Sequence, residues 1–234
     1  MSERQADRCP YPHDRLPAAS GGCPVPHGDG PAWEADAAEH AERTARRAAP
    51  ASHIDEERAV DMAHAVAESR ARRQGVEEIS ELFLRTLGRK LGHGHPLSER
   101  TGIAEFTWTP EAERRLAEVP EFCRELTRWR VEWTAHKLGL GTTITPEVMQ
   151  VKYDMWGRVS HAIRERDDPR LPWTADALSR FERVPEFVRG QVLEAVEGNA
   201  RTLGAAEVTS EVVDRVIDKW RKTGDFHEGL YGFR

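Results

Sequence analysis

Cysteine is scarce in this 234-residue chain: three residues, too few and too unevenly placed for a disulfide scaffold, which makes a reducing, cytoplasmic setting the expectation. Long apolar runs are missing as well. No stretch approaches the roughly 20 residues of a membrane-spanning helix, and the N-terminus MSERQADRCPYPHD has no apolar core of a secretory signal. Excess positive charge is absent: the net charge of −6 argues against a general nucleic-acid binder. Aromatic residues are few, at 7%, and they are unevenly spread. Residues 1–50 contain Tyr11 and Trp33 alone, together with half of the 14 prolines, whereas most of the aromatics lie beyond residue 100. That imbalance excludes a uniform globule.

The first 32 residues read as a disordered tail. Pro10, Pro12, Pro17, Pro24, Pro26 and Pro31 interrupt helix formation, and little apolar surface is present to offset ordering entropy. Residues 33–49 are Ala-rich with a thin apolar stripe, which predicts a transient or partner-dependent helix closed by Pro50. The low-order region is therefore assigned to 1–52. A helical hairpin is expected over 53–98. Its first helix spans Asp55 to about Arg73, Gly75 is the break, and its second helix runs from Val76 to Leu91 on the face of Val76, Ile79, Phe83 and Leu87. Gly92, Gly94 and Pro96 stop it.

Beyond residue 100 the chain repeats itself. Trp108-Thr109-Pro110-Glu111-Ala112 corresponds to Trp173-Thr174-Ala175-Asp176-Ala177, and Val119-Pro120-Glu121-Phe122-Cys123-Arg124 to Val184-Pro185-Glu186-Phe187-Val188-Arg189. Ala135 and Gly139 match Ala200 and Gly204 in the same frame; one residue is then lost, and Thr145, Glu147, Val148 and Trp156 match Thr209, Glu211, Val212 and Trp220. Each unit has a physical plan. Thr109 or Thr174 caps a short helix, Pro120 or Pro185 starts a helix of about five turns, Gly139 or Gly204 ends it in a left-handed turn, and Thr145 or Thr209 caps a third helix. The predicted fold is all-α: a disordered N-terminal tail, a helical hairpin, then two tandem three-helix modules over 106–160 and 171–234. The second module ends in the aromatic stretch 226–234, which could dock on its own chain or a partner. Modules of about 50 residues bury little core alone, so the two should pack on each other or on a partner.

The pattern of Trp-Thr, Val-Pro-Glu-Phe, a Glu–Ala helix ending in Gly and a Thr-capped helix resembles the small C-terminal domain of the B subunit of light-independent protochlorophyllide reductase. The resemblance covers 106–158 and 171–221. It rests on Trp108, Pro120, Phe122, Arg124, Glu132, Ala135 and Thr145, and on Trp173, Pro185, Phe187, Arg189, Glu197, Ala200 and Thr209. In that family the reductase is a nitrogenase-like complex with iron–sulfur clusters, and the small domain helps to cover the protochlorophyllide pocket. Nothing here matches the family's large α/β domains, their Gly-rich loops or their cluster-binding cysteines. The resemblance implies a related helical module that touches a tetrapyrrole or a metalloenzyme, not reductase activity.

Two further patterns carry chemistry. Cys9-Pro10-Tyr11-Pro12-His13 is echoed by Cys23-Pro24-Val25-Pro26-His27. Thiolate and imidazole suit zinc or haem iron, and Cys-Pro pairs resemble haem-regulatory motifs. The spacing departs from the usual structural zinc fingers. Three readings stand side by side: a haem or zinc site through Cys9, His13, Cys23 and His27; a docking peptide; and an incidental tail. Arg124 and Arg189 each lie two turns before a glutamate on one helix face, which suits either anion or propionate binding or an Arg–Glu network that fixes the module. Trp129 and Trp133 have no aromatic counterparts in the second repeat and are therefore better ligand or interface residues than Trp108, Trp156, Trp173 or Trp220, which read as core. Cys123 reads as core packing; His93 and His95 form an H-x-H pair that decorates a turn more readily than it chelates a metal.

No nucleophile–base set, phosphate loop or paired-carboxylate signature is visible. The expected function is a non-catalytic accessory or assembly subunit of a redox metalloenzyme or tetrapyrrole-handling system, with redox metalloenzyme subunits as protein partners. The alternatives are a haem- or metal-responsive binding protein that uses the tail, and a reductase component of tetrapyrrole biosynthesis.

Overall fold

The computed structural model describes residues 30–101, 104–167 and 169–225. Cys9, His13, Cys23, His27 and the C-terminal aromatic stretch lie outside them. The described chain is mostly helical, with short parallel strand pairs that tie helices together.

The first strand pair overturns part of the expectation for residues 33–52. Strand β1 (Ala32–Trp33) pairs in parallel with β2 (Glu78–Ile79), and the 18-residue helix α1 (Ala35–Ser52) follows β1 directly. Residues 33–52 are thus built into the fold rather than belonging to a low-order tail. Alanine explains both the expectation and the outcome. Ala37, Ala41, Ala45 and Ala49 recur every fourth residue and are fully or almost fully buried. They face α2 (Glu56–Gln74), which buries Ala59, Ala63, Ala67 and Ala71 in the same apolar cluster. A stripe of methyl groups is weak by transfer free energy, but it lets two helices approach closely and pack without voids. Pro50 lies within the last turn of α1 rather than beyond it.

The hairpin expected over 53–98 is also more elaborate. The apolar run from Val76 begins as β2, Ser80 caps a new helix by accepting from the Phe83 N–H, and α3 (Glu81–Lys90) is only ten residues long. The parallel pairing with β1 competes for the backbone groups of Glu78 and Ile79, which a continuous helix would have used.

The next two segments follow the same connectivity. Strand β3 (Thr107–Trp108) pairs in parallel with β4 (Thr143–Ile144); between them lie α4 (Pro110–Ala117) and α5 (Glu121–Leu138), and α6 (Pro146–Arg164) follows. Further on, Trp173 bridges Val208 in parallel, with α7 (Ala175–Glu182), a short 3-10 turn Glu186–Val188 and α8 (Arg189–Thr202) between them, and α9 (Ser210–Thr223) after. In each segment a tryptophan makes the parallel pairing, and the next residue donates its backbone N–H across it: Glu34 to Ile79, Thr109 to Ile144, Thr174 to Val208. The threonine caps form as expected, with Thr109, Thr145, Thr174 and Thr209 each accepting from the backbone N–H three residues on. Gly139 and Gly204 adopt φ of 65° and 71°. In place of the single five-turn helix expected after Pro185, the 3-10 turn precedes α8; the Gly190 N–H is used by Ser160 Oγ at 2.7 Å, which anchors this helix start to α6.

Each segment has its own apolar cluster. They are stitched together by a few side chains. Trp129 of α5 donates its indole N–H to the Ser52 carbonyl at the end of α1. Phe122 of α5 stacks on Trp220 of α9, and Arg70 of α2 donates to the buried carboxylate of Asp225. No described helix is long and apolar enough to cross a membrane.

Candidate functional site

Several side chains gather on Glu132. It sits midway along α5 and is 1% exposed. A carboxylate there must be supplied with donors, or it would cost several kcal/mol. Three side chains converge on it. Trp108 Nε1 and His53 Nε2 each donate to Oε1 at 2.8 Å, and His93 Nε2 lies 3.5 Å from Oε2. Burial pulls the Glu132 carboxyl pKa upward, but the hydrogen bond and charge of His53, the nearby His93 ring and the Trp108 N–H outweigh it and bring the pKa down to about 2.

The elements that deliver these groups are distinct. Trp108 comes from β3, its face covered by the Arg128 guanidinium, which is itself held by Glu113. His53 ends α1 with φ 56°, in the left-handed region and the sole non-glycine with positive φ among the described residues. A β-carbon costs about 1–2 kcal/mol there, and the bond to Glu132 gives the strained position a purpose. His93 lies in the loop after α3, where Nδ1 is 2.8 Å from the Arg100 carbonyl. Its ring stacks on Trp133, which also carries Arg100 over one face and His136 beside it.

The structure distributes the sequence-derived residues unevenly. Trp133 is half-buried at the edge of this cluster. Trp129, one turn earlier, is buried and bonded to Ser52. Arg124 and Arg189 do the same job in their own segments: Arg124 donates to the carbonyls of Val119 and Ala117 at 2.7 and 2.8 Å, and Arg189 to those of Val184 and Glu182 at 2.8 and 2.6 Å. Each guanidinium closes the end of the preceding short helix, and the glutamate two turns on bonds to tryptophan rather than to the arginine. Arg124→Ala is therefore expected to cost about 1–3 kcal/mol through uncapped carbonyls, read as a lower denaturation midpoint; an unchanged midpoint would contradict this capping role. Cys123 is packed against the middle cluster, its thiol pushed up to about 12 by burial. His95 is buried and neutral in character: Nδ1 accepts from the Leu97 N–H, Nε2 donates to the Thr223 carbonyl, and burial depresses its pKa to about 4.

The convergence of His53 and His93 on Glu132 is not legible in the sequence. The recurrence of Glu132 and Glu197 is the available signal. In the structure Glu197 likewise accepts from Trp173, at 3.3 Å, and adds Arg201 at 2.9 Å. Among the described residues no group of three or more His, Cys, Asp or Glu is arranged to hold a metal ion. A separate open groove of about 650 Å³ lies over Tyr153 and Phe187, whose rings stack at 4.1 Å, with Arg115, Asp154 and Arg158 around it.

The architecture thus defines a helical protein in which a strand tryptophan is bonded to a buried glutamate of the following long helix. Residues 173–216, which contain one such pair, match the family described as Proto-chlorophyllide reductase 57 kD subunit, and this stretch is a domain of that kind. Among curated proteins, the B subunit of light-independent protochlorophyllide reductase from Synechococcus sp. (strain WH7803) is 39% identical over 56 residues, 24% of this chain and 11% of the relative. The corresponding B subunit from Parasynechococcus marenigrum (strain WH8102) is 37% identical over 51 residues, 22% of this chain and 10% of the relative. The matched stretch spans about a tenth of the length of these relatives. No solved structure matches the chain.

Proposed function

We propose that this chain is a non-catalytic accessory or assembly subunit of a redox metalloenzyme or tetrapyrrole-handling system, built from repeated copies of the domain that residues 173–216 carry. The family match at 173–216 is the observation that supports it. The repetition extends the reading. Residues 106–160 repeat the Trp–Glu pair, the capped helices and the parallel pairing. Residues 32–90 are read as a third, more divergent copy: Trp33, Ala37, Ala71, Gly75, Ile79 and Ser80 stand where Trp108, Ala112, Ala135, Gly139, Ile144 and Thr145 stand in the next. In this copy Trp33 packs against His64, and the matching glutamate, Glu68, pairs with Arg72. A chain that devotes its helices to copies of a small covering domain is suited to binding a larger partner, which in the related reductase would be subunits that handle protochlorophyllide.

The test is capture of the tagged full-length chain from its native cells, with identification of co-purifying proteins, metal analysis and an absorption spectrum. Stoichiometric recovery of metal- or tetrapyrrole-bearing redox subunits supports the proposal. Recovery of the chain alone, colourless and metal-free, overturns it. A second reading, a haem- or metal-responsive protein, is favoured by the paired C-P-x-P-H motifs. Titration with ferric haem and with zinc distinguishes it: a spectral change lost in the Cys9→Ala/Cys23→Ala variant supports a tail site, and an unchanged wild-type spectrum removes it.

A further inference from the structure

The groove over Tyr153 and Phe187 has a counterpart position in the repeat, and the comparison shows what opens it. Phe187, which precedes α8, stacks on Trp156 of α6 at 6.0 Å, and Phe122 of α5 stacks on Trp220 of α9 at 6.4 Å. Each of the two later segments thus lends its phenylalanine to the last helix of the other. In the repeat register, Gly157 of α6 stands where α9 has Arg221, Gln150 where it has Asp214, and Tyr153 where it has Ile217.

Each difference leaves something missing on α6. Glycine is unfavourable inside a helix, and close packing does not demand it at 157: an added β-carbon would meet only Phe187, at 4.0 Å. The missing side chain leaves the groove uncovered. Arg180 is paired directly with the Asp214 carboxylate. Its equivalent, Arg115, has the neutral Gln150 amide instead, which donates in turn to Asp154 at 2.6 Å. The Arg115 guanidinium is held in place by the Pro146 carbonyl at 2.9 Å and by the Tyr153 ring 4.9 Å beneath it. Arg158, on the rim, has no ion-pair partner among the described residues. The Tyr153 hydroxyl is buried with no hydrogen-bond partner among the described residues, a cost that isoleucine avoids in the counterpart. Core filling therefore does not account for an aromatic ring at 153.

We propose that this groove docks a short segment of a protein partner in which an aromatic side chain adjoins a carboxylate. The ring covers the gap at Gly157 beside Phe187, where aromatic faces are already stacked. The carboxylate goes to Arg115, in the role that Asp214 has for Arg180. Glu118 stands at the rim where the counterpart has Arg183, and Asp154 lies near it, so the groove carries both signs and suits one carboxylate rather than a polyanion. The groove is open along one side. A metabolite would stay largely exposed in it, whereas a peptide is anchored by its side chains while its backbone remains in water. The source of the peptide rests on the accessory-subunit reading; the chemistry of the groove does not.

NMR titration of the 15N-labelled full-length protein with the acetylated, amidated tetrapeptide Ser-Phe-Asp-Ser tests this. Saturable amide shifts are expected around Arg115, Gly157 and Phe187. Binding should be about tenfold weaker when the aspartate of the peptide is replaced by asparagine or its phenylalanine by alanine. Gly157→Arg installs the residue of the counterpart and should abolish the shifts without lowering the denaturation midpoint. Gly157→Leu, a second substitution that fills the groove, should do the same. Absence of shifts at these amides, shifts that persist in both variants, or equal binding of the asparagine peptide would overturn the proposal. Equally tight binding of hydrocinnamate would also overturn it, by making the groove a site for a small acid. Capture from native cells tests the accessory-subunit reading separately, so a failed titration leaves that reading standing.

Discussion

Gly94→Ala is expected to destroy the junction between α3 and α5. Gly94 has φ +90°, and a β-carbon there would fall 1.9 Å from the Trp129 indole. Trp129 cannot yield: it is 1% exposed and bonded through its N–H to Ser52. Nor can the loop yield, because His93 and His95 on either side are buried and held by the carbonyls of Arg100 and Thr223. The substitution combines backbone strain with overpacking, and a loss of about 3–5 kcal/mol is expected. That is a large share of the roughly 5–15 kcal/mol typical of a folded domain. Gly139→Ala is the control, since φ is +65° but nothing lies within 4 Å of the added carbon, and only about 1–2 kcal/mol is at stake. Urea denaturation followed by tryptophan fluorescence measures both. Equal midpoints for the two variants would show that Gly94 has no packing role.

The helices after residue 105 are legible in the sequence because their punctuation is chemical. Thr109, Thr145, Thr174 and Thr209 offer hydroxyls to the first turn, and Gly139 and Gly204 end the long helices with φ that side chains resist. The segment from 33 to 90 departs from its sequence reading for an equally physical reason. Its apolar surface is mostly alanine methyl, which gives little amplitude to any hydrophobic pattern, yet α1 and α2 together bury a stripe of such residues. Its insertions relative to the next segment also hide the register: α1 is 18 residues where α4 is eight. The shared signature, a tryptophan bridged to Ile79 ahead of a Ser80 cap, becomes visible only once the parallel pairing is known.

The polar cluster is only half legible. Glu132 stands out by recurring with Glu197, and Trp108 by recurring with Trp173, but their mutual hydrogen bond joins residues 24 positions apart, on a strand and on a helix. His53 and His93 belong to an earlier segment and have no counterpart in the later ones, so no repeat could flag them. Trp133 is singled out because it lacks a counterpart, and that same irregularity places it against His93.

Removing the carboxylates should separate the two Trp–Glu pairs sharply. Glu132→Ala strands the Trp108 N–H, the His53 N–H and His93 around an emptied, buried position. Each buried donor left without its acceptor costs about 1–3 kcal/mol, so about 3–5 kcal/mol is expected for the set. Glu197→Ala removes a longer bond to Trp173 and a pairing with Arg201, whose side chain is 29% exposed and also donates to the Pro169 carbonyl. Water and that carbonyl can satisfy the arginine, so about 1–2 kcal/mol is expected, within the range for an orphaned buried donor. Guanidinium denaturation of the two variants at pH 7 should rank Glu132→Ala well below Glu197→Ala, with Glu132→Gln between wild type and Glu132→Ala. If the two alanine variants lose the same stability, the histidines contribute nothing beyond the shared Trp–Glu bond, and Glu132 serves only the segment in which it lies. The ranked outcome instead makes Glu132 the point where the shared bond of each segment was recruited to hold its neighbour.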